Sequence, residues 1–329
     1  MRRLLALPEA AVAGLLVLLM AGIGLVNPLF WQWGNLFGLL RAGVVPGIMA
    51  LGVLVVLVSG GIDVSFPAFA AAAMYLGVLA TRAWGLGGIA LPFLLAAGIG
   101  AGLGCANALF VAYARMVPLI VTLGTGAAVR GFLLGFVGTS VVSAGQMPGQ
   151  LLDLGRLELF GWAAPDGTHV ALAATPLVLL GLALAVHLVL RHTLAGRALY
   201  AMGGDAEAAK RVGFAVQRAT FLAYGLAGAL AGIAGMVHAA QAWSASPREF
   251  IGLELDVIAA VVLGGASIFG GRGSVAGTVL GVFLLLLVND SLILLGVDTT
   301  WPRVVVGVVL IGATAATAWR ERRRHGVAA

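Results

Sequence analysis

Ten apolar runs follow one another along this chain, at 10–26, 36–59, 68–81, 86–112, 117–138, 170–190, 219–243, 253–268, 275–295 and 302–319. A bilayer core about 30 Å thick takes roughly 20 residues of helix to cross, so runs of this kind read as membrane spans. Apolar residues make up 61% of the chain and charged residues 10%, whereas about a quarter of a soluble protein is charged. The 329 residues leave no room for a separate soluble domain. The expected fold is an all-α polytopic bundle of about ten spans, forming one transmembrane domain over 1–329. Arg2 and Arg3 before the first run resemble the start of a signal peptide. That run is long for one, however, and is followed by Asn27, Pro28, Phe30, Trp31 and Trp33 with no small-residue cleavage pattern. It is kept as a span with aromatic anchors at its far end.

Orientation follows from the basic residues, which concentrate in cytoplasmic loops. With the N-terminus inside, thirteen Arg and Lys side chains fall on the cytoplasmic side, including Arg191, Arg197, Lys210, Arg211 and Arg218. Only Arg82, Arg156, Arg248 and Arg303 fall outside. An even number of spans then puts both termini in the cytoplasm. The net charge of +6 reports this orientation, and nucleic-acid binding is a poor explanation for it. The single cysteine, Cys105, excludes an intramolecular disulfide and a multi-cysteine metal site, and the histidines are too scattered for another. An outer loop at about 139–169, with Asp153, Glu158, Asp166, Pro148 and Pro165, reads as an irregular cap, either a connector or a docking surface.

The longest stretch of mixed charge, about 191–218, holds the only lysine, Lys210. Gly203 and Gly204 break a preceding helix, and Asp205 suits the N-cap of a new one, which stops near Gly213. Glu207 stands four residues before Arg211, the favourable order for a same-face ion pair. Ala206, Ala209 and Gly213 form a small-residue face that a neighbouring protein could approach closely.

The third and eighth runs are short for a span. Each adjoins a glycine-rich interruption, at 60–67 and 264–274, where a broken or re-entrant helix is expected. Both interruptions open with Gly-Gly, and both are followed by a Leu-Gly-Val string, either a weak internal repeat or a match of the kind that low-complexity membrane sequence produces easily. Asp63 either caps the helix begun at Pro67, together with Ser65, or lines a hydrophilic pathway. Asn107, Asn289 and Asp290 are polar positions on apolar spans, suited to interhelical hydrogen bonds or to the pathway. Arg130 needs a partner within the membrane or room to snorkel; His238 and Gln241 share one face. Enzyme readings lack their residues: no lysine stands in a phosphate-binding loop, and neither H-E-x-x-H nor G-x-S-x-G occurs. No cofactor or metal is called for.

Four stretches resemble the permease subunits of bacterial ATP-binding-cassette importers, in the branch handling ribose, other monosaccharides and the autoinducer-2 signal. They are V-S-G-G-I-D-V-S at 58–65, N-A-L-F-V-A-Y-A-R-M-V-P-L-I-V-T-L-G at 107–124 with Arg130-Gly131, G-R-A-L-Y-A-M-G-G-D-A-E-A-A-K-R-V-G at 196–213, and V-L-G-G-A-S-I-F-G-G-R-G-S-V-A-G at 262–277. The resemblance implies a chain in the bacterial inner membrane that works with ATPase subunits, with a periplasmic or tethered solute-binding protein and with a second permease copy or paralogue, all within lipid. It implies that Gly204, Asp205, Glu207, Ala208, Ala209, Lys210, Arg211 and Gly213 form the segment gripped by the ATPase. The resemblance implies a small polyhydroxylated solute, and Asp63, Ser65, Phe66, Asn107 and Asn289 are the candidates for its translocation pathway. Phe66-Pro67 stands where the family continues with Val-Gly, and Ala108 follows Asn107 in place of the usual glycine, departures that bear on a ribose assignment. The competing reading is an ion-coupled secondary transporter, with Asp63, Glu254, Asp256 or Asp290 carrying the ion.

Overall fold

The computed structural model describes residues 8–85, 87–164 and 167–294, together with 301, 304, 307, 308 and 311. The elements run α1 (Pro8–Val26), α2 (Trp33–Ala42), α3 (Val44–Val58), α4 (Phe66–Trp84), α5 (Ala90–Ala112), α6 (Pro118–Phe132), α7 (Gly149–Arg156), β1 (Glu158–Ala163), β2 (His169–Ala173), α8 (Thr175–His192), α9 (Leu194–Gly204), α10 (Ala206–Arg211), α11 (Val216–Ala242), α12 (Glu254–Leu263) and α13 (Val275–Leu294). Among the described residues, seven helical stretches are long and apolar enough to cross a bilayer. The all-α polytopic reading therefore holds, with a single two-stranded hairpin as its exception. The run at 302–319 and the basic tail lie largely or wholly outside the described residues.

Helix α11 forms the axis of the bundle, packed against α3, α4 and α5. Lipid tails are as apolar as leucine, so helices in a membrane gain by close backbone approach where small residues allow it. A Cβ on Gly100 of α5 would overlap the Gly228 carbonyl of α11, and a Cβ on Gly228 would overlap the Gly100 carbonyl. Gly104 lies in the same way against the Tyr224 carbonyl, and Gly232 against that of Ala96. Helix α3 is surrounded, with every residue except Pro46 buried.

Several boundaries differ from expectation. The run at 36–59 is two helices joined at Gly43, whose position beside the Phe283 ring leaves no room for a side chain. The third span is not short: α4 has 19 residues because Pro67, with its preset φ, extends the helix start back to Phe66. Residues 170–173 belong to β2, paired antiparallel with β1, and the following helix begins only at Thr175-Pro176. The outer loop is correspondingly more ordered than an irregular cap, holding α7, the hairpin and a bridge between Val142 and Ala245. Of the aromatics that follow α1, Phe30 is buried, while Trp31 and Trp33 are exposed. The eighth run is short as expected: α12 has 10 residues, about 15 Å of helix against roughly 30 Å of hydrocarbon.

Candidate functional site

Two interrupted helices meet a short helical projection. Helix α3 ends at Gly60, whose φ of +84° only glycine adopts freely. Gly60 N donates to Leu57 O at 2.9 Å and Gly61 N donates to Val56 O at 3.1 Å, the paired bonds of a Schellman closure. Helix α12 closes identically at Gly265, φ +94°, where Gly265 N donates to Val262 O at 2.9 Å and Ala266 N to Val261 O at 3.2 Å. The equivalence matches the first glycine of one Gly-Gly pair with the second of the other, one residue away from the register read from sequence.

Beyond Gly61 the chain has no regular secondary structure up to Ser65 and is held by a buried polar node. Asp63 Oδ1 accepts from Ser65 N at 2.7 Å and from Ser65 Oγ at 2.6 Å, and Asn107 Nδ2 donates to Ser65 Oγ at 2.9 Å. Val64 N donates to Thr122 Oγ1 at 3.3 Å. Tyr224 completes the surroundings: its hydroxyl is so close that a Cβ on Gly61 would lie 2.6 Å from it. The Tyr224 hydroxyl and Asn107 Oδ1 are buried without a hydrogen-bond partner. Asp63 thus organises the turn ahead of α4, while Ser65, at the N-cap position, makes no side-chain cap bond. Asp63, Ser65, Phe66 and Asn107 are all buried within the chain. Asn289 sits apart on α13, its Oδ1 also buried and unpartnered.

The projection is α9 followed by α10. Thr193 caps α9 by accepting from Gly196 N at 3.0 Å, and Asp205 caps α10 by accepting from Ala208 N at 2.9 Å. Gly203 and Gly204 form the last residues of α9, so the break falls at Asp205. Helix α10 stops as expected: Gly213 has φ +94°, with Gly213 N donating to Lys210 O at 3.0 Å and Phe214 N to Ala209 O at 3.1 Å. Gly204, Asp205, Glu207, Ala208, Lys210, Arg211 and Gly213 are exposed, with Val212 between them 75% exposed. Ala209 is buried at 3% and faces the body of the protein. Of the small-residue face, Ala206 and Gly213 are exposed and Ala209 alone is turned to the core, because spacing alone does not say which side of a six-residue helix meets the core. Among the described residues Glu207 and Arg211 form no ion pair, which leaves both charges facing outward. A hollow of about 700 Å³ beside α10 is lined by Arg115, Glu207, Lys210 and Arg218 among others. Tyr200 of α9 donates its hydroxyl to Gly273 O at 2.8 Å, in the turn after α12. Burial pushes the Tyr200 phenol above its usual range, with Arg191 opposing, so the group remains a proton donor.

Arg130 finds its partner in Glu254 at 3.5 Å, joining the C-terminal part of α6 to the start of α12. Sequence spacing cannot reveal a pair 124 residues apart. Removing one member of a largely desolvated pair costs more than removing both. Arg130→Gln or Glu254→Gln alone should therefore lower the thermal midpoint in detergent more than the double substitution does. Equal midpoints for the three variants would show that water screens the pair. Gln241 of α11 donates to Thr175 Oγ1 at 2.9 Å and to Arg41 O at 3.2 Å, while Arg41 donates back to Gln241 O at 2.9 Å. His238 stands 3.3 Å from Glu249. These groups fasten helix ends to one another.

A family profile described as branched-chain amino acid transport system / permease component matches residues 35–314. The chain is 35% identical over 301 residues to the ribose import permease protein of Escherichia coli, covering 90% of this chain and 89% of that one. It is 31% identical over 336 residues to the galactose/methyl galactoside import permease protein of the same species, covering 97% and 96%. Over 266 residues it is 32% identical to the autoinducer 2 import system permease protein of Yersinia enterocolitica, covering 80% and 70%. No solved structure matches.

Proposed function

This chain belongs to the family of branched-chain amino acid transport system permease components, and from that membership we propose that α10 is the point where a separate ATPase takes hold. It is the permease subunit of an ATP-binding-cassette importer, a multi-pass protein of the bacterial inner membrane, and not an enzyme. ATPase subunits and a solute-binding protein are its working partners. The observation that supports α10 as the docking point is a capped helix with exposed charges, unpaired among the described residues, on a short projection that packs against α11 and α9.

In this reading two permease chains, identical or paralogous, enclose the pathway within lipid, each a single transmembrane domain of ten spans with both termini in the cytoplasm. The solute is a small polyhydroxylated molecule, the class to which the ribose and galactose of the relatives' names belong. Asp63, Ser65 and Asn107 act on the pathway from behind, by fixing the turn that carries its wall, and Phe66 is the buried residue that opens the helix after that turn. Asn289 is assigned to the wall on α13. ATP binding favours one conformation, and the preference is felt reciprocally by the solute-binding protein outside.

Glu207→Arg with Lys210→Glu reverses two exposed charges on α10 and should leave the permease folded. The expected result in reconstituted vesicles is ATP hydrolysis no longer tied to uptake, with weakened retention of the ATPase during purification. Unchanged retention and uptake would remove α10 from the docking surface.

A further inference from the structure

Three glycine pairs from distant parts of the chain converge on one spot. Gly60 and Gly61 follow α3, Gly203 and Gly204 close α9, and Gly270 and Gly271 lie in the turn between α12 and α13. Gly271 N donates to Val58 O at 3.0 Å, so the two interrupted segments are hydrogen-bonded to each other through backbone. Gly203 is wedged between them. A Cβ on Gly203 would overlap the Val58 carbonyl and stand 2.6 Å from Gly271 N. A Cβ on Gly270 would overlap the Gly203 carbonyl and stand 2.9 Å from the Cα atoms of both Gly203 and Gly60. One on Gly60 would lie 3.3 Å from Gly203 Cα. The Tyr200 hydroxyl, one turn earlier, bonds the same turn at Gly273 O.

The glycines are there for different reasons. Gly60, Gly270 and Gly271 have positive φ of +84°, +91° and +69°. Gly203 is the next-to-last residue of α9 and its φ is not positive, so its own backbone conformation does not call for glycine. Only the approach of two other backbones explains a glycine at that position. Side chains absorb small movements by changing rotamer, whereas backbone packed on backbone does not, so the three segments move together or separate.

We propose that this junction transmits displacement of α10 to both interrupted segments at once, with Gly203 as the positioning residue that keeps α9 in register with them. The proposal rests on the reading of α10 as the ATPase docking point. It gives one cytoplasmic contact simultaneous control of the turn carrying Asp63 and of the turn that follows α12.

The experiment uses the complex with its ATPase, Cys105 replaced by Ala, and spin labels on Phe269→Cys in the turn and Leu157→Cys on the outer cap, both exposed positions. A nonhydrolysable ATP analogue is expected to shift the label separation in the otherwise unaltered protein. Gly203→Ala should abolish that shift while the ATPase remains bound. Tyr200→Phe removes one hydrogen bond without adding bulk and should move the ATP-driven equilibrium by roughly fivefold. Gly204→Ala has open space around it and should behave as the parent. If Gly203→Ala does not fold, Tyr200→Phe decides. A full shift in Tyr200→Phe or in a folded Gly203→Ala overturns the proposal, as does a shift lost equally in Gly204→Ala or absent from the parent complex. Failure of the docking reading would look different, because Glu207→Arg would then retain the ATPase, whereas the junction is judged only in complexes that carry it.

Discussion

Gly228→Val leaves almost no folded chain in the membrane. The added Cβ would overlap the Gly100 carbonyl and stand 3.2 Å from Gly104 Cα. Its two methyl groups would push further into α5. Overpacking of cores costs typically about 1–3 kcal/mol where neighbouring side chains give way; here the neighbour is helix backbone, and the whole α5–α11 contact has to open. That contact holds the axis of the bundle, and the marginal stability of a protein cannot absorb its loss. The check is the yield of monodisperse protein after detergent extraction and gel filtration, with Gly98→Val and Gly102→Val as controls. Those two glycines lie on the same helix, α5, with nothing near the added atom. A normal yield of Gly228→Val would mean that α5 and α11 can part without harm.

The second large effect is expected at Asp63. Asp63→Leu orphans two buried donors, Ser65 N and Ser65 Oγ, at 2.7 and 2.6 Å from the lost oxygen. Each unsatisfied buried group costs about 1–3 kcal/mol, and Asn107 then holds a hydroxyl that no longer has a fixed orientation. The turn ahead of α4 then loses its geometry. Asp63→Asn keeps an acceptor oxygen in place and should fold within roughly 1 kcal/mol of the parent. Thermal unfolding in detergent together with solute uptake in vesicles separates the cases. An unperturbed midpoint and full uptake for Asp63→Leu would show that the node does not hold the turn.

What could be read from the sequence was what is decided locally. The Asp205 cap and the stop at Gly213 depend on bonds that reach three to five residues along the chain, and both occur as the residue types imply. Long apolar runs gave the helices for the same reason. What could not be read depends on residues far apart. The orientation of α10 is fixed by what lies under Ala209, and the partner of Arg130 comes from another helix. Residues 170–173 are apolar enough to extend a span, and only the facing strand at 158–163 makes them a hairpin. The polar node was half legible: Asp63, Ser65 and Asn107 stood out as polar residues among apolar ones, whereas Tyr224 and Thr122 had no such contrast and were missed. The register of the internal repeat failed by one residue, because Gly-Gly pairs do not reveal which glycine takes the left-handed conformation.

Helix α1 lies at the periphery, largely exposed, with its main contacts to α13 and a hydrogen bond from Ser274 Oγ to Glu9 Oε1 at 2.7 Å, 265 residues away in sequence. At ribosomal speeds of about 5–20 residues per second, the first helix waits roughly 10–50 s for the segment it leans on to be synthesised. During biogenesis it must therefore be a tolerable solitary lodger in fatty acyl chains. Its evenly greasy surface is the specification of a helix that has to survive the interval before assembly.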